Sequence, residues 1–217
     1  MKTGILFDLD GTLLNTLEDL TDSVNYTLRC YHCPERSPME IRRFLGNGAK
    51  NLIERSLPAD ADDTLRAEAF ATYLAYYAQH NQIKTRPYDG ILEALAELGK
   101  EYPIAVVSNK SDHNVKALCA EHFGSGIYAL GATDDCPHKP APDMLYKGMT
   151  AIGVEKCIYV GDSEVDILVA KNAGVPCLSV LWGFRDEALL RESGGAHFCR
   201  DPKKLAKILK EMIENGQ

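Results

Sequence analysis

Gly4-Ile5-Leu6-Phe7-Asp8-Leu9-Asp10-Gly11-Thr12 is the stretch that decides the fold class. A short apolar run meets two carboxylates and then a Gly-Thr turn signal. It is too brief and too evenly apolar for a surface helix, and reads as a buried strand ending where the acids begin. Asp8 and Asp10 stand two residues apart, so a continuing strand would project them the same way, and a turn at Gly11 lets their tips converge. Converging carboxylates repel until one proton or one cation relieves them. A hard divalent cation suits oxygen ligands, and magnesium typically takes one or two carboxylates together with a phosphate.

Outward from this strand the pattern repeats. Ile104-Ala105-Val106-Val107 is a second apolar run, ending at Ser108-Asn109, and Ile127 to Leu130 is a weaker third. Cys157-Ile158-Tyr159-Val160 ends at Gly161-Asp162, Pro176 to Leu181 follows, and Ala196 to Cys199 makes a sixth. Helical patterns lie near residues 90–100, 112–122, 141–152, 164–173, 186–192 and 202–214. Apolar strands separated by helices describe an α/β fold, a Rossmann-like parallel sheet with helices on both faces. In such sheets ligands bind beyond the carboxyl ends of the strands, where the polar residues named above fall.

Residues 16–85 break this alternation. They carry helical patterns interrupted at Pro34, Pro38 and Pro58, and no convincing strand. Tyr73, Tyr76 and Tyr77 share one helix face and read as a core stripe. The expected organisation is a core domain of residues 1–15 and 86–217, with an inserted α-helical cap of residues 16–85. Arg86-Pro87-Tyr88-Asp89-Gly90 is the expected return hinge.

A third acidic group comes from Gly161-Asp162-Ser163-Glu164-Val165-Asp166, where Asp162 sits at the change from strand to helix and Asp166 lies one turn on. Thr12, Ser108, Asn109 and Lys139 are candidate phosphate binders, each expected at a strand end. The short rigid segment Lys139-Pro140-Ala141-Pro142 would open a helix and hold the ammonium in place.

Composition narrows the partners. In 217 residues, 45% are hydrophobic and 25% charged, as in an ordinary folded domain. The net charge of −7 and the lack of a dense Lys/Arg cluster weigh against nucleic acid. Lys203, Lys204, Lys207 and Lys210 alternate with apolar residues and read as a solvated helix face. No apolar run reaches the roughly 18 residues of a membrane span. Acidic residues arrive too early for a signal-peptide core, so a cytoplasmic location is expected. Seven cysteines, an odd number, fit a reducing compartment. Cys30 and Cys33 have zinc-ligand spacing but no second pair, and read as half-buried side chains at a helix end. The six histidines show no metal-ligand spacing.

Taken together, Asp8-Leu9-Asp10-Gly11-Thr12, Ser108-Asn109, Lys139, and Gly161-Asp162 with Asp166 resemble the four motifs of the haloacid dehalogenase superfamily of phosphotransferases. Within it the chain is similar to phosphoglycolate phosphatases. Ser108-Asn109-Lys110, Lys139-Pro140-Ala141-Pro142, Tyr159-Val160-Gly161-Asp162-Ser163, Asn172-Ala173-Gly174-Val175 and Trp182-Gly183-Phe184 carry that likeness. Pyrophosphatases and nucleotidases of the same branch share these features. The resemblance implies a phosphatase of a small phosphorylated metabolite, 2-phosphoglycolate first, working through an aspartyl-phosphate. Asp8 would be the nucleophile and Asp10 the general acid and base. Mg2+ would be held by Asp8, the Asp10 backbone carbonyl and Asp162, with Asp166 joining through water or from behind them. Lys139 would neutralise Asp8 and the phosphoryl oxygens, while Thr12, Ser108 and Asn109 cradle the phosphate.

The segment Arg42 to Lys50 stands out in the expected cap. Gly46, Asn47 and Gly48 would permit close backbone approach, and Arg43 or Lys50 would grip a small carboxylate; an ordinary inter-helix turn is the other reading. A sugar-phosphate mutase and a non-catalytic binding module are the competing functions. The expected assembly is a monomer or homodimer, with neither nucleic acid nor membrane as partner.

Overall fold

A computed structural model describes residues 2–216, which divide into two compact units. One comprises residues up to Leu14 and from Pro87 onward, the other Asn15–Arg86. In chain order the first unit holds β1 (Thr3–Phe7), then, after the insertion, α5 (Ile91–Leu98), β4 (Ile104–Ser111), α6 (Asp112–Phe123) and β5 (Tyr128–Ala132). It continues through α7 (Asp143–Ala151), β6 (Lys156–Gly161), α8 (Glu164–Ala173), β7 (Cys177–Val180) and α9 (Glu187–Glu192). It closes with β8 (His197–Cys199), a 3-10 turn at Pro202–Lys204 and α10 (Leu205–Glu214). The helical unit holds α1 (Leu17–Cys30), α2 (Pro38–Phe44), α3 (Gly48–Ser56) and α4 (Asp63–His80). Two short strands, β2 (Leu14–Asn15) and β3 (Arg86–Pro87), pair where the chain crosses between units.

Six strands form one parallel sheet in the order β5-β4-β1-β6-β7-β8. The reason lies in the side chains: consecutive strand residues face opposite ways, and here both faces are apolar. Ile5, Phe7, Val106, Ile158 and Val160 pack with residues of α5, α6 and α10 on one face. Leu6, Ala105, Val107, Cys157 and Tyr159 pack with residues of α7 and α8 on the other. Strand order reverses about β1, whose neighbours are β4 on one side and β6 on the other. The crevice for a ligand therefore opens beyond the ends of these three strands.

Several sequence expectations change in detail. The run ending at Val107 continues as strand through Ser111; pairing with β5 is irregular between Val107 and Ser111, where Ser111 meets Ala132. Polar side chains do not stop a strand whose backbone still finds a ladder. Lys139 is not at a strand end; it lies in the connection between β5 and α7.

The helical unit buries Leu20, Val24, Leu28, Ile41, Leu52, Ile53 and Tyr73. Buried Asp19, in the first turn of α1, accepts the backbone N–H groups of Lys84 and Thr85 and so ties the unit's beginning to its end. Tyr73 and Tyr77 are core residues, but Tyr76 is not: its ring stacks between those of Tyr26 and His80. No helix among the described residues is long and apolar enough to cross a membrane.

Candidate active site

Buried carboxylates gather at the ends of β1 and β6. Oxygens of Asp8, Asp162 and Asp166 all lie within 4.8 Å of one another, and this is the grouping with metal-ligand geometry among the described residues. The chain path explains their approach. Asp8 follows β1 directly, Asp162 follows β6, and the two strands are neighbours in register from Thr3 opposite Lys156 to Phe7 opposite Val160. Asp8 donates its N–H to the Val160 carbonyl at 2.8 Å, extending that ladder by one bond.

Lys139 binds this cluster. Its Nζ donates to Asp8 Oδ1 at 2.8 Å, to Asp166 Oδ1 at 2.8 Å and to the Tyr159 hydroxyl at 2.7 Å. The Lys139 side chain is 3% exposed, so this charge is almost wholly desolvated. Burial works against the ammonium, yet the charges of Asp166 and Asp8 more than offset it and keep the group protonated. Burial also works upward on Asp166, but Lys139 and the Ser163 hydrogen bonds hold that carboxyl below its usual range. Its Oδ2 accepts from the N–H groups of Asp162 and Ser163 and from the Ser163 hydroxyl, capping α8.

Asp8 and Asp162 are less well compensated. Burial pushes Asp8 up to about 6 against the pull of Lys139. Burial, then the charges of Asp166 and Asp8, drive Asp162 well above the carboxylate range. Among the described residues, Asp162 receives a hydrogen bond from Thr12 Oγ1 at 3.2 Å and one from the Phe184 N–H at 2.7 Å, but no ammonium. Counting Asp10, four carboxylates face the two ammoniums of Lys139 and Lys110, an excess of two negative charges when all are ionised. The donor set is all oxygen and the excess equals one divalent cation, so these residues fit Mg2+.

Two glycines make room for the Asp162 carboxylate. At Gly11, where φ is +86°, and at Gly183, a Cβ would collide with the Asp162 carboxylate. Trp182 Nε1 donates to the Thr12 carbonyl at 3.0 Å, which fixes the turn after Asp10 from the β7 side.

The expected phosphate binders are distributed as follows. Thr12 and Ser108 are buried in the same unit, Thr12 being bonded to Asp162. The side chain of Asn109 is spent on the backbone of Lys139, donating to its carbonyl at 2.9 Å and accepting its N–H at 2.8 Å. The carboxylate of Asp10 turns to Lys110, whose Nζ lies 2.9 and 3.0 Å from its two oxygens. In the helical unit Gly46 and Asn47 lie in the α2–α3 turn and Gly48 opens α3, with exposed Arg43 and Lys50 on either side. Cys30 is exposed and Cys33 half-buried, and neither joins a metal-binding group among the described residues.

Sequence reasoning assigned no role to Lys110, Tyr159, Gly183 or the Phe184 N–H. Tyr159 read as one more apolar strand residue, although a tyrosine hydroxyl inside a buried strand itself signals a polar partner.

This arrangement has known relatives. The family model for haloacid dehalogenase-like hydrolases matches residues 5–180. The chain belongs to that family. Among curated proteins, a phosphoglycolate phosphatase of Mesorhizobium japonicum is 34% identical over 84% of this chain and 84% of its own. One of Colwellia psychrerythraea is also 34% identical, over 84% and 86%. Among solved structures, a presumed phosphoglycolate phosphatase of Lactobacillus delbrueckii subsp. bulgaricus superposes with a TM-score of 0.89 at 32% identity. That match covers 96% of this chain and 99% of the other. The family's hydrolase chemistry and its parallel-sheet fold thus apply to this chain.

Proposed function

We propose that this hydrolase is a magnesium-dependent phosphatase of a small phosphorylated metabolite, 2-phosphoglycolate being the first candidate. The observation that carries the reading is the pairing of Asp8 with Lys139 inside a cluster that still carries excess negative charge. Among the described residues, hydrogen bonds engage Oδ1 of Asp8 and not Oδ2, which suits attack by Oδ2 on phosphorus. The names of the curated relatives supply the candidate substrate.

In the first step Asp8 attacks phosphorus, the bond from phosphorus to the ester oxygen breaks, and Asp10 gives a proton to the departing oxygen. In the second, water attacks the aspartyl-phosphate, Asp10 takes the water's proton, and inorganic phosphate leaves Asp8 free. Lys139 neutralises the nucleophile before reaction and the phosphoryl oxygens during it. Asp8, Asp162 and the Asp10 carbonyl would hold Mg2+, which when bound offsets charge between carboxylate and phosphoryl group. Asp166, already engaged by Lys139 and the start of α8, holds the ligands in place from behind. Ser108, Thr12 and the Asn109 backbone receive the phosphate. The helical unit serves as the cap, with the Gly46–Gly48 turn, Arg43 and Lys50 choosing the substrate.

The test is a screen of 2-phosphoglycolate, pyrophosphate, nucleoside monophosphates and sugar phosphates, with and without Mg2+, ranked by kcat/KM. Phosphate release that needs Mg2+ and falls at least ~1,000-fold in Asp8→Asn supports the reading. Isomerised sugar phosphate without free phosphate would make it a mutase, and inertness toward every ester would make it a binding module.

A further inference from the structure

Lys139 and Lys110, whose side chains are largely buried in the α/β unit, serve different carboxylates. Lys139 attends Asp8 and Asp166, on the side of the nucleophile. Lys110, two residues past Ser108 in β4, attends Asp10. Its side chain is 7% exposed and that of Asp10 19%, so the pair is sheltered without being sealed. Nothing in the phosphoryl transfer described above uses Lys110. The ammonium is nevertheless held beside the one side chain that must touch the departing oxygen.

That position has a chemical meaning. A lysine ammonium is a compact charge on a flexible stem with three donor hydrogens, so it can serve two anions at once. Whatever substituent lies next to the ester oxygen comes close to this charge. Charge-assisted hydrogen bonds are about twice as strong as neutral ones, and partial burial strengthens them further. A neutral alcohol in the same place would offer this cation only a neutral acceptor, the weaker of the two contacts.

We propose that Lys110 is a specificity-determining residue that contacts a carboxylate on the carbon next to the leaving oxygen, so that the site selects phosphate monoesters of short 2-hydroxy acids. This rests on the reading of Asp10 as the group at the leaving oxygen. It adds a determinant within the α/β unit itself, separate from any contribution of the helical unit.

The test compares 2-phosphoglycolate with 2-hydroxyethyl phosphate, its neutral counterpart, and with p-nitrophenyl phosphate. Wild-type enzyme, Lys110→Met and Lys110→Arg are assayed with Mg2+ present. The expected result is a wild-type preference for the acid of at least ~30-fold in kcat/KM, by the discrimination typical of a site built around a polar group. That preference collapses at least ~10-fold in Lys110→Met and returns in part in Lys110→Arg, whatever rate the two esters lose in common. Equal loss on both esters with the preference intact would overturn the proposal and leave Lys110 as a residue that only orients Asp10. A wild type that favours neither ester overturns it as well, while the phosphatase reading survives. Failure to hydrolyse even p-nitrophenyl phosphate would instead sink that underlying reading. Should Lys110→Met not fold, wild-type p-nitrophenyl phosphate hydrolysis is measured with glycolate or ethylene glycol added. Inhibition by glycolate alone supports the contact, and equal effects of the two overturn it.

Discussion

Asn109 and Lys139, thirty residues apart, hold each other by two hydrogen bonds: the amide Nδ2 donates to the lysine carbonyl and Oδ1 accepts the lysine N–H. The Lys139 ammonium sits on a connecting loop, and this two-way bond fixes that loop to a strand of the sheet. Asn109→Leu would strand two buried backbone groups, each costing ~1–3 kcal/mol. We expect the melting temperature to fall by ~5–15 °C, as for a domain of this size. We also expect kcat to drop at least ~10-fold, because the ammonium loses its fixed origin. Calorimetry and steady-state kinetics decide it; a variant that melts and turns over like wild type would refute the clamp.

Divalent cation should stabilise the folded chain, and more so at higher pH. Asp8 titrates at about 6 in the fold against 3.8 ordinarily, so the folded state binds the extra proton between those values. Stability contributed by this group therefore declines as pH rises from about 4 to about 6 and stays lower above that. Metal requires the ionised form. Adding ~10 mM Mg2+ to metal-free protein is thus expected to raise the melting temperature several degrees at pH 7.5 and much less at pH 5. An unchanged melting temperature at pH 7.5 would argue that no cation binds.

Gly183→Ala puts a methyl group into the Asp162 carboxylate and the Gly11 carbonyl. The loop must retreat, and the Phe184 N–H loses Asp162. The expected outcome is a weakened Mg2+ requirement curve, with the half-saturating concentration raised ~10-fold or more. Titration calorimetry with Mg2+ supplies the independent readout. Unaltered affinity would show that this loop has no part in holding Asp162.

Thiol labelling should be ordered by exposure. Cys30 is exposed, whereas burial drives Cys119 and Cys157 up to about 12. Mass spectrometry of native protein after brief alkylation at pH 8 is expected to find Cys30 modified first, with Cys119 and Cys157 reacting only after denaturation.

Much of this molecule was readable in its residue pattern, and the reasons are physical. Strands buried on both faces must be apolar throughout, so β1, β4 and β6 announce themselves, and a carboxylate after such a run marks a strand end. Longer-range partnerships leave no such trace. Lys110 meets Asp10 across a hundred residues, and Lys139 meets Tyr159 and Asp166 from a loop whose path no periodicity encodes. Tyr76 shares its helix face with Tyr73 and Tyr77, yet ring stacking with Tyr26 and His80 keeps it out of the core. Spacing reports a side chain's direction and is silent about what it meets.

Leu13 and Tyr88 bracket the helical insertion and are joined by a backbone hydrogen bond of 3.2 Å, from the Tyr88 N–H to the Leu13 carbonyl. The excursion thus leaves and rejoins its parent through a seam two residues wide. Asp8, Asp10, Lys110, Lys139, Asp162 and Asp166 all lie on the parent side of that seam. An insertion at such a place can lengthen, shrink or be exchanged for another without shifting a strand of the sheet, so descent can rework the helical unit while leaving the buried carboxylates and their lysines where they are.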